Sequence, residues 1–545
     1  MLVLFELWPV IVIVFGMIIA LARISLTHWA PLLLENADSI VLPLMEKSLR
    51  EGAPAEFVMS SQLFLFPELP IYVAASLFTD SARLTLVLNA ILNVLLMYGS
   101  FRVIAALLAH RARHRFLEIT IALIATTIFI VIVLLEAGGN VNQSGLATPL
   151  LSSTYYYGVI LSALIVVALT LWVSESFSHH DWSRRRITIY AIAIIVIAGL
   201  TTLSNPLFIM QATAPLVLAA IVLLIGNLLT WRQFAIIVGW NIVGVVIGYL
   251  LRFAAADLLP GQLATYVVLD QIPKSVLLLW SSALEMLASD AGTLRLIIML
   301  SLQVLTLTLF VVCIYAKARP ARAESVTTAN FFVITFVSIS SVSLLFGMIA
   351  TGSITTRYLE PATVFPLLTV IVVGTWLLRQ LLVGVHDVDL RRNLSRFGLG
   401  IAAAASVVLI TVGIINVPPV AAMVRGDNYT GADCINDFVG DSDMNGVASF
   451  WSSRTLELYG DNTGDLLQVS TDLAPLDWMI NVGAYEDKTF SYVVLDGTAF
   501  LPRESLEILG NPVSVTRCDG REYWDYRGTA GEQILTDIIS RAVSD

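Results

Sequence analysis

The sequence predicts a mainly α fold: a polytopic transmembrane helical domain followed by a small α/β domain at its C-terminus. Three observations carry this. Of the 545 residues 57% are hydrophobic and only 13% charged, with a mean hydropathy of +0.82, whereas a soluble domain is about a quarter charged. Apolar runs long enough to cross a bilayer recur along the first three-quarters of the chain. After Val417-Pro418-Pro419 the chain turns polar, with Gly, Asp and Asn turns. The apolar runs lack period-2 alternation, so they are helices rather than barrel strands. A formal net charge of -10 excludes the basic footprint of a nucleic-acid binder.

Eleven spans are expected, at about 3–24, 83–108, 116–136, 155–175, 187–204, 213–230, 233–252, 293–316, 329–351, 361–383 and 397–416. The first has no basic leader and no cleavage site, so it reads as a retained span. Counted alternately, the basic clusters fall on one side: Arg111, Arg113 and Arg115; Arg184, Arg185 and Arg186; Lys317, Arg319 and Arg322; Arg391, Arg392 and Arg396. The positive-inside rule then places the N-terminus in the cytoplasm and the first loop outside. An odd span count places the C-terminal part outside as well. Residues 1–420 are expected to form the membrane domain, with a long outer loop at 25–82, and residues 425–545 an extracytoplasmic domain.

Within the first loop, residues 32–50 read as an amphipathic helix on the outer surface. Glu35 and Asp38, three apart, are expected to share one of its faces. Phe66-Pro67-Glu68 opens a second short segment at 71–79. Trp29 and Tyr155-Tyr156-Tyr157 read as interfacial aromatics. Ser204-Asn205-Pro206 breaks a span end. A later outer loop at 253–292 carries Pro260-Gly261, Tyr266 and Lys274, and Arg357-Tyr358 follows in another outer turn. In the polar tail, strands are expected at 467–469 and 490–495, and helices at 433–439, 450–459 and 531–543. Cys434 and Cys518 are an even pair in that tail, suited to a disulfide in an oxidising compartment. Cys313 lies in an apolar run and reads as a small buried hydrophobe.

No P-loop, dinucleotide fingerprint, paired CxxC or HExxH is present. Five of the six histidines (His110, His114, His179, His180 and His386) lie in or beside the basic turns, leaving only His28 on the outer side. That disfavours a histidine metal site, a Ser-His-Asp triad or an acyltransferase there. What remains outside is a set of carboxylates and cations. Asp38, with Glu35 and Glu68 in support, is suited to deprotonating a hydroxyl. Arg357, with Lys274, is suited to a phosphate, and Asn205 and Tyr358 to sugar hydroxyls. Each has an ordinary reading beside it: a solvated helix face for the acids, a snorkelling cation for Arg357, a helix cap for Asn205.

The Glu35-x-x-Asp38 stretch after the first span, two outer-surface helices, the Phe66-Pro67-Glu68 step, the odd span count and the C-terminal α/β domain together resemble the GT-C superfamily of membrane glycosyltransferases. The resemblance implies transfer of a sugar from a polyprenyl-phosphate donor to an extracytoplasmic glycan, lipid or protein acceptor, with Asp38 as general base and Arg357 on the donor phosphate. It implies no cofactor, with a divalent metal left open, membrane lipids as surroundings, and no nucleic-acid partner. A second reading is a lipid or polysaccharide transporter, or an envelope-assembly scaffold. Midplane charges in broken helices and internal repeats would mark a transporter, and neither is seen in the sequence.

Overall fold

The computed structural model describes residues 2–52, 54–109, 115–139, 145–178, 184–259, 268–318, 327–353, 355–384, 388–426, 429–440, 442, 444–461 and 465–544. Among them nine helices are long and apolar enough to cross a membrane, from Glu6–Ile24 to Thr356–Gln380. A bent pair, Ala403–Ile415 and Val417–Arg425, with a 40° angle between its parts, makes up to ten. The chain is thus a multi-pass membrane protein.

Each expected span has a helix, but two differ from expectation. The segment expected at 213–230 is the shorter apolar helix Ile209–Ile225. Its first turn is π-helical over Ile209–Thr213, and it stops before Asn227, whose φ is 53°. The last expected span is followed after a 40° bend at 416 by a second apolar helix to Arg425, since Pro418 and Pro419 are tolerated only in the first turn of a new helix. Helices Arg184–Ser204 and Trp231–Ala254 pack closely through glycines. A Cβ on Gly248 would lie 2.1 Å from the Gly199 carbonyl oxygen, so only glycine permits this approach.

The first loop also differs. In place of one helix over 32–50 there are two, Trp29–Leu34 and Val41–Arg50, separated by turns. The break is local chemistry: the Asp38 backbone N–H donates to Asn36 Oδ1 at 3.0 Å, an Asx turn that competes with helix. Glu35 and Asp38 therefore do not share a helix face. Trp29 and the three tyrosines face the protein interior and do not form an exposed belt. They are buried, with Trp29 packed so tightly on Gly145 that a Cβ there would come within 2.1 Å of the ring.

The C-terminal region holds a five-stranded sheet in the order β3-β2-β5-β7-β6. Its strands are β2 (Asn445–Ala448), β3 (Leu466–Gln468), β5 (Phe490–Leu495), β6 (Ser514–Cys518) and β7 (Arg521–Asp525); β1 (Phe57–Val58) and β4 (Ile480–Asn481) form a separate pair. β2 pairs in parallel with β3 and β5, while β7 runs antiparallel to both β5 and β6. β5 is buried along its whole length, as a central strand with covered faces must be. The hairpin β6–β7 turns at Asp519-Gly520, both at positive φ, the signature of a two-residue turn. Helices Gly431–Val439, Phe450–Tyr459 and Ala530–Ser544 match those expected. Cys434 on the first of them is bonded to Cys518 on the edge strand β6, with Cα atoms 5.8 Å apart.

This region is not a loose appendage. β1, from the first loop, pairs antiparallel with β4. Asn481 closes the joint, donating to Ser48 Oγ at 2.8 Å and accepting from the Glu56 N–H at 3.0 Å. The turns around Arg111 and Arg113 and around Arg319 and Arg322 lie outside the described residues, as do His110, His114, His179, His180, His386, Pro260, Gly261 and Tyr266.

Candidate functional site

Leu34, which ends the first short helix, and residues 35–39 after it are held from both sides. On one side the Phe450–Tyr459 helix reaches across. Thr455 Oγ1 donates to the Glu35 carbonyl at 2.5 Å, Tyr459 to that of Leu34, and Arg454 Nε to that of Ala37 at 3.2 Å. On the other side Thr154 Oγ1 donates to the Asp38 carbonyl at 2.8 Å and Ser153 Oγ to that of Ser39 at 2.8 Å. Every carbonyl from Leu34 to Ser39 apart from that of Asn36 is thus held by a side chain, and Asn36 O accepts from the Ser39 N–H at 2.8 Å. A segment without regular structure is fixed this way because buried carbonyls require donors.

The Asp38 side chain faces Arg357, with Oδ2 3.5 Å from Nη1. The Arg357 guanidinium lies over the Tyr155 ring, 4.8 Å from its centroid. It is carried on the single 3-10 turn Thr356–Leu359, which Thr355 caps. Burial raises the proton affinity of the Asp38 carboxyl above the ordinary aspartate range, opposed by Arg357 and, more weakly, by Arg454. Next to Arg357 in sequence, Tyr358 stands edge-on to Tyr156 at 5.6 Å, and its carbonyl accepts from Gln211 Nε2 at 3.3 Å. Glu360, two residues beyond Tyr358, is fully buried.

The segment 146–157 that clamps Asp38 is itself anchored by a buried ion pair. Glu136, at the end of its span, accepts from the backbone N–H groups of Leu146, Ala147 and Thr148 at 2.7–3.1 Å and pairs with Arg295 at 3.1 Å. Asn93 Nδ2 adds bonds to the Leu150 and Ser152 carbonyls at 3.1 and 3.0 Å.

The structure brings Asp38, Arg357 and Tyr358 to one place. The other expected site residues lie elsewhere. Glu35 has a different partner, Arg83 at 3.0 Å, whose guanidinium lies over Tyr459 at 4.1 Å. Arg83 also lines a polar cleft of about 700 Å³ between the first loop and the Phe450–Tyr459 helix, with Tyr72, Tyr429, Glu46 and Asp433. Lys274 is exposed on the helix Ile272–Ala288, which packs against the turn carrying Arg357. Asn205 is buried: its Oδ1 accepts from the Leu207 N–H at 3.0 Å, and its Nδ2 has no partner. The turn it sits on joins the first loop, with Ser204 Oγ accepting from the Phe66 N–H at 3.1 Å.

Glu68 is fully buried against Gly158, where a Cβ would fall 2.3 Å from Glu68 Oε1. Burial pushes its carboxyl up to about 7. The folded state therefore holds a proton that the unfolded chain gives up near 4.5. Stability falls as pH rises from that value to about 7, by up to about 3 kcal/mol. Glu68→Gln is expected to remove this loss. Its melting temperature relative to wild type should rise between pH 5 and pH 8, and an offset that stays constant with pH would contradict the assignment.

Sequence reading passed over Glu136, Arg295, Arg83, Arg252 and Glu360. Arg252 links the Leu203 and Ser61 carbonyls at 2.7 and 2.8 Å, joining a span end to the first loop. The available signal was an ionisable residue inside or at the end of an apolar run, a position that is costly unless paired or functional. Among the described residues no three His, Cys, Asp or Glu side chains converge as metal ligands would.

Fold and site together define a polytopic helical membrane protein whose first loop is clamped between a span-end segment and a C-terminal α/β region. No protein-family model matches the chain, and no curated protein matches its sequence. The fold is similar to that of ArnT from Cupriavidus metallidurans, in a crystal structure bound to undecaprenyl phosphate. The TM-score is 0.53 at 13% identity, covering 96% of this chain and 98% of that one. The membrane-helical fold with a small C-terminal sheet, implied by the resemblance to GT-C enzymes, is borne out.

Proposed function

We propose that this protein is an integral membrane glycosyltransferase that moves a sugar from a polyprenyl-phosphate donor to an extracytoplasmic acceptor. The carrying observation is the pairing of Asp38 and Arg357 at 3.5 Å in a fold like that of ArnT, whose structure holds undecaprenyl phosphate. A carboxylate and a guanidinium side by side suit the two ends of such a transfer. Asp38 takes the proton of the acceptor hydroxyl as that oxygen attacks the anomeric carbon. The bond from that carbon to the phosphate oxygen breaks, and its electron pair leaves with the phosphate. Arg357, supported by Lys274, offsets the charge that develops there. Tyr358, beside Arg357, offers its hydroxyl to the sugar, while Glu35 and Glu68 support the loop that carries the base. The product lipid phosphate stays in the membrane.

In this reading residues 1–420 are the catalytic membrane domain, with its N-terminus in the cytoplasm. Residues 425–545 form an extracytoplasmic domain that helps hold the acceptor. Membranes from cells lacking this protein, with their polyprenyl-phosphate sugars pulse-labelled, supply donor and acceptor together. Adding the purified folded protein is expected to move label out of the lipid-phosphate fraction. Label that stays in the lipid-phosphate fraction would sink the reading in favour of a transporter or scaffold.

A further inference from the structure

We infer that Arg357 serves Asp38 and the donor phosphate in turn: without donor it holds the Asp38 carboxylate, and an arriving phosphate displaces that carboxylate and frees it to act as base. The inference rests on the glycosyltransferase reading above and adds to it an order of events.

The contact has the features of an exchangeable pair. Its 3.5 Å separation is long beside the 2.7–2.9 Å of a strong charge-assisted hydrogen bond. The guanidinium does not depend on Asp38 for its position. Its face rests on Tyr155, and the capped turn fixes its backbone. Its side chain is nevertheless 45% exposed, leaving room for an incoming anion. A phosphate, with more oxygens and more charge than one carboxylate oxygen, engages a guanidinium bidentately and wins the exchange.

Asp38 can let go without disturbing the loop. Its backbone N–H is held by Asn36 and its carbonyl by Thr154, so release needs only side-chain rotation. The chemical consequence follows from charge. Arg357 makes the buried Asp38 carboxylate a weaker base than burial alone would, because the cation stabilises its ionised form. Once phosphate neutralises Arg357, the same carboxylate binds a proton more tightly. Base strength is thereby tied to donor occupancy, and the acceptor is deprotonated only when a donor is in place.

The test is a titration of undecaprenyl phosphate into the full chain in nanodiscs, for wild type, Arg357→Gln, Asp38→Asn and, as a second uncharged variant, Asp38→Ser. Each is first checked for a wild-type elution profile and melting temperature, and whichever Asp38 variant passes is used. Arg357→Gln is expected to weaken binding about tenfold or more, as losing a charged hydrogen bond does. The Asp38 variant is expected to tighten it about two- to fivefold, the scale of a partly exposed ion pair removed as a competitor. If Arg357→Gln weakens binding while the Asp38 variant leaves it unchanged or weaker, the exchange is overturned and the phosphate contact stands. If Arg357→Gln has no effect, the phosphate contact fails and the exchange with it.

Discussion

Asp38→Asn is expected to lower the rate of sugar transfer by about 10²–10⁴-fold, the usual contribution of a positioned general base, while the protein stays folded. The variant is nearly isosteric. The hydrogen bonds that place this residue run through its backbone, to Asn36 and Thr154, so the amide takes the position of the carboxylate. What is lost is the capacity to accept a proton, together with the charge that faces Arg357. Transfer from a polyprenyl-linked sugar at the wild-type rate would remove Asp38 from the chemistry. The pH profile gives a second readout. The base works only when ionised, so activity is present above its pKa and lost as pH falls through it. Burial places that acid limb above the ordinary aspartate value of 3.8. Arg357 lowers the proton affinity of Asp38, so Arg357→Gln should move the limb of kcat/KM, which reports the donor-free protein, to still higher pH. A limb unmoved by that substitution would mean that another group titrates.

Glu136→Ala is expected to have the largest effect on stability, about 3–5 kcal/mol. Glu136 and Arg295 are 1% and 2% exposed at their side chains. Removing the acid leaves a guanidinium buried without its counter-charge and strips three backbone N–H groups of their acceptor. The damage should extend to function, because the same segment supplies Ser153 and Thr154, which hold the Asp38 loop, and Tyr155, which lies under Arg357. Thermal unfolding in detergent checks the first effect. The double variant Glu136→Ala/Arg295→Met should recover part of the loss, since it no longer buries an unpaired charge. If the single variant melts with the wild type, the pair is not the anchor described.

Features that depend on residues close together in the chain are legible in the amino-acid sequence. The spans, the polar tail, β5 and the three C-terminal helices all follow from the number and period of apolar residues. The pairing of Cys434 with Cys518 is expected because both lie in one polar region. Asp38 and Arg357 stand out as charges on the loop side of apolar runs, in a chain with few such charges. Glu35 and Glu68 stand out in the same way, yet they have different surroundings. Nothing in the Glu35-x-x-Asp38 spacing tells that an Asx turn at Asn36 separates the two residues, or that Glu35 pairs with Arg83 and Asp38 with Arg357.

What the sequence determined alone is therefore the class of fold and the short list of polar groups on one side of it, because hydrophobic period and length are properties of contiguous residues. The tertiary structure decided which of those groups meet. Asp38 and Arg357 are 319 positions apart in the sequence and come to 3.5 Å only because three distant elements converge on the first loop: the Phe450–Tyr459 helix, the segment anchored by Glu136 and Arg295, and the turn at Thr356–Leu359. The hydrogen bonds and ion pairs that hold them are short-range and directional, so they depend on three-dimensional placement that no local pattern records.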